Sequence, residues 1–171
     1  MEWRRIRTQP PPLRDVLLRH ALPLCLVPGM AAGIGALTGA VAMPLEGPAI
    51  EPLRLAVFAS LCATAGLAVL VAVFRVLATL FVPAPRWSDA FRLAAYGSTP
   101  LLLASAFMAV PAMAMVPLIG ALHSCYLYYG GAHTLFGIAE DDCAEFVALS
   151  ALGSGAALFL LGAAAGSYAV L

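Results

Sequence analysis

The chain has 171 residues, of which 63% are hydrophobic and only 11% are charged, and its formal net charge is zero. Soluble domains usually carry about 25% charged residues. A soluble fold of this composition could not cover its surface, so the excess apolar surface must face lipid. The length allows one compact domain with four to six membrane spans of about 20 residues each. No nucleic-acid partner is predicted, although the net charge itself says little on that point.

Residues 1–20 are predicted to form a basic cytoplasmic head. Trp3 is a residue type that suits a membrane interface. The prolines at 10–12 break any helix, and Pro12 can open a new one. Residues 13–22 alternate apolar and charged side chains, which predicts a short interfacial helix. The five arginines of the head are Arg4, Arg5, Arg7, Arg14 and Arg19.

The remaining residues, 21–171, are predicted to form an all-α transmembrane bundle of about five spans. The uncharged run at 21–43 is longer than the 7–15 apolar residues of a secretory signal, which favours a span. Residues 93–139 carry no charge and as one helix would extend about 70 Å, so they must form two spans that turn near Pro111 and Pro117. The predicted spans lie near 21–43, 55–82, 94–110, 114–136 and 144–171.

The arginines also predict the orientation of the chain. Five of them precede the first span, and Arg75, Arg86 and Arg92 surround the connection between the second and third spans. Cytoplasmic loops carry an excess of arginine and lysine. The N-terminus is therefore predicted to be cytoplasmic and the C-terminus outside. Arg75 lies at the end of an apolar run, where it can extend to the cytoplasmic surface as an anchor.

The predicted fourth helix carries the most polar stretch inside the membrane. On a helical wheel His123, Tyr126, Gly130 and His133 fall within about 80°, so this polar face should meet other helices or a cavity. This polar face is interpreted either as a set of interhelical hydrogen bonds or as a polar binding pocket. The histidines are about 15 Å apart along the axis, too far to share a metal ion. No metal site is predicted.

Small and acidic residues predict packing and helix capping. Glycines spaced by four allow two helix backbones to approach closely; the pairs are Gly29/Gly33, Gly35/Gly39 and Gly162/Gly166. The acidic cluster Glu140, Asp141 and Asp142 either stabilises the positive end of the fifth helix or binds a basic partner. The four cysteines, Cys25, Cys62, Cys125 and Cys143, have no C-x-x-C spacing and are read as small packing residues.

No motif indicates catalysis. The chain lacks G-x-S-x-G, a phosphate-binding glycine loop and paired intramembrane carboxylates, and its intramembrane serines stand in no nucleophile motif. The sequence predicts a protein that is not an enzyme, with no catalytic residues and no cofactor.

Three segments carry a distinctive pattern: residues 14–24 (RDVLLRHALPL), 91–100 (FRLAAYGSTP), and 123–130 (HSCYLYYG) with the acidic turn 138–142 (IAEDD). In combination they resemble bacterial members of the Yip family, the Ypt/Rab-interacting membrane proteins. The resemblance covers nearly the whole chain and implies five helices with a cytoplasmic N-terminus. The residues that match its motifs are Tyr96, Ser98, Thr99, Pro100, Tyr129, Glu140 and Asp141.

In eukaryotic relatives the resemblance implies small-GTPase partners and vesicle traffic. The short cytoplasmic head offers no extended region to a GTPase, so that partner is not expected here. The arginine- and alanine-rich composition fits a bacterial inner-membrane protein. The predicted function is to organise or bind membrane components, the partners being the lipid bilayer, other membrane proteins or a second copy. The alternative is a small-solute or ion transporter that uses His123, Tyr126 and His133.

Overall fold

The computed structural model describes residues 2–38, 51–113 and 115–168. These residues form helices and short connections, without a strand among them, which confirms the predicted all-α class. We number the helices as follows: α1 (Glu2–Thr8), α2 (Leu13–Leu37), α3 (Glu51–Phe81), α4 (Trp87–Gly97), α5 (Thr99–Ala104), α6 (Val116–Gly131) and α7 (Glu140–Tyr168).

Three of these helices contain a segment that is long and apolar enough to cross a membrane: Leu13–Leu37, Pro52–Phe81 and Glu140–Phe159. They correspond to the predicted first, second and fifth spans. The predicted third and fourth spans consist of shorter pieces. A 3₁₀ segment, Ser105–Ala109, continues α5, and a π-helical segment, Ala132–Phe136, continues α6. The count of five spans therefore stays a prediction.

The start of the bundle differs from the sequence prediction. Pro12 precedes α2 as its N-cap residue, as predicted, but no separate interfacial helix follows. The chain runs as one helix from Leu13 to Leu37 and passes residue 20 through a π-helical turn, Leu17–Ala21. A helix continues wherever the backbone donors find acceptors, and the charged side chains at its exposed start do not interrupt it. The helix that contains the first candidate span thus begins about two turns before residue 21.

The connection between the predicted third and fourth spans lies where the prolines indicated. The 3₁₀ turn Pro111–Met113 separates the end of the Ser105–Ala109 segment from α6, which has Pro117 in its first turn. Proline lacks a backbone N–H and is favoured in the first turn of a helix, where that group has no partner within the helix. The long uncharged stretch is thus interrupted at the predicted position, and its division into two spans stays a prediction.

The glycines of α2 make the close helix contact that their spacing predicts. Gly29 and Gly33 are buried against α3. A β-carbon at Gly33 would lie 3.2 Å from both the Ala56 β-carbon and the Pro52 carbonyl oxygen. The partner helix therefore belongs to the same chain. Gly39 lies outside the described residues, and the same holds for the packing of Gly162 and Gly166.

The tightest packing lies toward one end of the bundle. Its centre is Phe74, which is fully buried and stacks edge-on against Tyr128 at a ring distance of 4.9 Å and beside Phe146 at 5.6 Å. Leu93 of α4 and Ile138 before α7 belong to the same buried cluster. Large apolar side chains elsewhere on the long helices remain exposed, as expected for surfaces that face lipid.

Candidate functional site

The segment from Tyr96 to Pro100 is a break between two helices. The helix α4 ends at Gly97, and α5 begins at Thr99 with Pro100 in its first turn. The proline ring crowds the carbonyl group one turn earlier and has no N–H to donate to it, which favours an interruption of the helix at this point. Such a break leaves backbone groups that neighbouring helices must satisfy.

One side of the break contacts α2. The ring of Tyr96 lies 4.7 Å from that of His20, measured between centroids. The Thr99 hydroxyl lies 2.9 Å from Nε2 of the same histidine and also donates to the Ala95 carbonyl oxygen. His20 thus joins two of the family-motif residues to the first span. Its role could not be found from sequence, since a lone histidine after an arginine carries no spacing signal.

The other side of the break contacts α6. Ser98 Oγ and Tyr128 Oη share a buried hydrogen bond of 2.7 Å, and the Leu101 backbone N–H donates to Ser124 Oγ at 3.2 Å. Gly97 lies directly against the Tyr128 ring. At Gly120, a β-carbon would lie 2.8 Å from the Pro100 carbonyl oxygen. The face of α6 that packs inward therefore bears small residues and one tyrosine.

A cavity of about 450 Å³ opens beside this hydroxyl cluster. Ser98, Ser124 and Tyr128 form its polar wall, and α3 and α7 supply most of the apolar wall. The other residues that line it are Cys62, Ala63, Gly66, Leu67, Leu70, Phe74, Leu101, Leu102, Ala121, Cys125, Val147, Ala151, Ser154 and Leu158. Its described lining residues contain hydroxyl and thiol groups but no carboxylate, imidazole or guanidinium. Such a cavity can hold an apolar molecule and make a few hydrogen bonds to it.

Two residues of the predicted polar face of the fourth helix, His123 and Tyr126, do not face another helix in the part of the chain that the structure describes. His123 is exposed and Tyr126 is 70% exposed, and their rings lie 6.1 Å apart on the outside of α6. They line neither of the two cavities described here. That part of the prediction is wrong within the monomer, because the row Gly120, Ser124 and Tyr128 takes the inner face and permits closer packing.

The remaining predicted residues take local roles near the start of α7. His133 Nδ1 lies 2.9 Å from the Ile138 carbonyl oxygen, and the Tyr129 hydroxyl donates to the Glu140 carbonyl oxygen at 3.2 Å. Glu140 and Asp141 are exposed in the first turn of α7, where negative charge stabilises the helix. This position supports the capping interpretation of the acidic cluster. Gly137, with φ of 75°, reverses the chain just before it.

Arg75 lies near the end of α3, and its guanidinium carbon is 5.7 Å from the centre of the Trp87 ring. This cation–π contact joins α3 to the first residue of α4. The contact with Trp87 near the C-terminal end of α3 is compatible with the predicted role of Arg75 as an anchor at the membrane surface. Among the described residues, no group of three or more histidine, cysteine or acidic side chains could hold a metal ion.

Tyr128→Phe is expected to lower the melting temperature in detergent by a few degrees. It removes the buried hydrogen bond to Ser98, and such intramembrane bonds are worth about 0.6 to 2 kcal/mol. Tyr126→Phe, two residues away on the exposed face, is the matched control and should melt like the wild type. Differential scanning fluorimetry of both variants checks this. A larger shift for Tyr126→Phe would mean that we have assigned the wrong face of α6.

The long apolar helices and the polar break packed between them define a helical membrane protein. A family model for the Yip1 domain matches residues 1–164. The chain belongs to the Yip family, and the resemblance seen in the sequence is confirmed. No curated protein matches the chain. No solved structure matches it either.

Proposed function

We propose that this Yip-family protein is a non-enzymatic, multi-pass membrane protein that binds other membrane components. The observation that carries the proposal is the cavity beside Ser98, Ser124 and Tyr128. Its walls are mostly apolar and its polar groups are uncharged, which matches a hydrocarbon chain that carries a hydroxyl, ester or amide group. General acid–base catalysis most often uses a histidine, a carboxylate or a lysine near the reacting atoms, and the described residues that line the cavity include none of these; its titratable groups are the Tyr128 phenol and the Cys62 and Cys125 thiols.

A substitution that fills the cavity tests whether it binds a hydrocarbon chain. Ala151 and Ala148, three residues earlier on α7, are both exposed, but only Ala151 lines the cavity. In vesicles that contain phosphatidylcholine with a photoactivatable diazirine on its acyl chain, we expect crosslinks near Cys125 in the wild type. Ala151→Phe should reduce them several-fold, and Ala148→Phe should leave them unchanged. The measurement is peptide mapping by mass spectrometry.

Crosslinks near Ile119 and Leu122 provide an internal standard. These side chains are 65% exposed and should react with the surrounding lipid equally in all three proteins. If crosslinking near Cys125 is the same in Ala151→Phe as in the wild type, the cavity holds no acyl chain and the proposal fails.

We further propose a bacterial inner-membrane location with the N-terminus in the cytoplasm. The arginine distribution supports this orientation, and the three candidate spans supply an odd number of crossings, as would the predicted five. A reporter fused after Leu171 is expected to be active only outside the cytoplasm, and one inserted at Asp89 only inside. The reverse pattern would contradict the orientation.

The partners we propose are lipids and other membrane proteins, including a second copy of the chain. Exposed polar side chains such as His123 and Tyr126 are costly in lipid, which favours contact with another protein there. We propose no GTPase partner. The transporter alternative is not proposed, because His123, Tyr126 and His133 line neither described cavity.

A further inference from the structure

A second cleft, of about 580 Å³, lies between α1, the connection after α3, the start of α4 and the end of the π-helical segment after α6. Its residues fall just outside the candidate spans: Ile6 and Arg7 precede the first, Val82 follows the second, and Phe136 precedes the third. The cleft therefore lies at one membrane–water boundary, on the side that the positive-inside rule makes cytoplasmic.

Positive charge dominates the lining of this cleft. Arg7, Arg86 and Arg92 line it, and Asp89 is the only carboxylate among the described residues of the lining. That carboxylate is already paired with Arg92, at 3.2 Å from Nη1, in the one ion pair found among residues 2–38, 51–113 and 115–168. Two arginines are left without a counter-ion in the lining. A concave site with such an excess of positive charge attracts anions.

Arg7 and Arg92 donate hydrogen bonds to backbone carbonyl oxygens, but these bonds do not use all of their N–H donors. Arg7 donates from Nη1 to the Thr134 carbonyl oxygen at 2.9 Å, and Arg92 donates from Nη2 to the Pro11 carbonyl oxygen at 3.1 Å. The side chain of Arg92 is only 11% exposed, and its buried Nε has no hydrogen-bond partner in the described part of the chain. Each guanidinium has five N–H donors arranged to match phosphate oxygens.

The start of α4 adds to the positive potential. Arg86 is the N-cap residue of this eleven-residue helix, and no side chain caps its first backbone N–H groups. A helix N-terminus carries a partial positive charge that favours phosphate. The rest of the wall is apolar, from Ile6, Val82 and Phe136. A ligand that fits both parts has a phosphate group joined to a hydrocarbon body.

We propose that this cleft binds the phosphate group of an anionic phospholipid. Basic pockets between helices on the cytoplasmic side of a membrane recognise lipid headgroups in this way. The inference concerns a different cavity from that of the proposed function and does not depend on it, since its variants leave the lining of the first cavity intact.

The test measures the binding of dioleoyl phosphatidylglycerol to the full-length protein in detergent, by native mass spectrometry. The wild type is expected to retain one such lipid per chain. Hydrogen bonds to charged groups are worth roughly tenfold in affinity or more, so Arg7→Gln/Arg86→Gln should weaken binding by about 100-fold. The matched control Arg14→Gln/Arg19→Gln removes two exposed head arginines that do not line the cleft, and it should bind within a few-fold of the wild type.

Two further arms identify the ligand. Phosphatidylcholine, whose ammonium group would approach the arginines, should be retained less well than phosphatidylglycerol. If excess inorganic phosphate displaces the lipid, the site stands and free phosphate is its ligand. Equal loss in both double variants would mean general surface attraction and would overturn the proposal, and so would full retention in Arg7→Gln/Arg86→Gln. Arg86→Gln alone changes an exposed side chain and provides the measurement if the double variant does not fold.

Discussion

Gly29→Leu is expected to abolish the recovery of folded protein. A β-carbon at this position would overlap the Ser60 hydroxyl and the Ala56 carbonyl oxygen of α3. The hydroxyl can rotate away, but the carbonyl belongs to the helix backbone and cannot move without separating α2 from α3. Close backbone approach is the main source of packing between helices in lipid. The measurement is the monodisperse peak in size-exclusion chromatography after detergent extraction.

Gly155→Leu is the matched control for this substitution. Gly155 is exposed on α7, and a β-carbon there would meet nothing within 4 Å. Leucine also favours a helix more than glycine does, by somewhat under 1 kcal/mol. The control should therefore be recovered at the wild-type level or above. Normal recovery of Gly29→Leu would mean that α2 and α3 are not in contact at this point.

Phe74→Ala should lower the melting temperature by roughly 10 °C, from a loss of about 3 kcal/mol. This ring is fully buried between Tyr128 and Phe146, so truncation leaves a void that three helices border. The loss lies at the low end for Phe→Ala because the unfolded reference in lipid is also apolar, which leaves mainly the packing contribution.

Phe58→Ala is the matched control for Phe74→Ala, because it makes the same substitution at an exposed position. Phe58 lies on the same helix but is 64% exposed, so its removal should change the melting temperature by less than a few degrees. Thermal melts of both variants in one detergent give the comparison. If the two shifts are equal, the interior of the bundle is not centred on Phe74.

The sequence predicted the long helices well because lipid imposes a simple requirement. A span must be apolar, about 20 residues long and helical, and residues 55–82 satisfy this almost as the structure has them in α3. The same requirement located the turn before α6. The break at Ser98 was not predicted, because Pro100 alone does not say whether a helix kinks or ends. Which neighbouring helix provides hydrogen-bond partners for the groups at the break depends on tertiary packing.

The candidate site was predicted only in part, for a related reason. Ser98 and Thr99 came from the family resemblance, and the structure gives each a partner on another helix. The polar face of the fourth helix was chosen by polarity, which drew attention to His123 and Tyr126. Packing in a membrane instead selects small residues. The regular spacing of Gly120, Ser124 and Tyr128 was the signal that could have identified the inner face.

The docking of α1 has a consequence for the order of biosynthesis. Trp3 lies against Gly131, and Arg7 donates to Thr134 across 127 positions of the sequence. These contacts cannot form until the ribosome has released the end of α6, long after the head itself was made. Domains generally acquire structure from the N-terminus as they are synthesised, but here α1 can pack against the bundle only after α6 has been made. Helix α1 must therefore stay at the membrane surface without these contacts while most of the bundle is inserted.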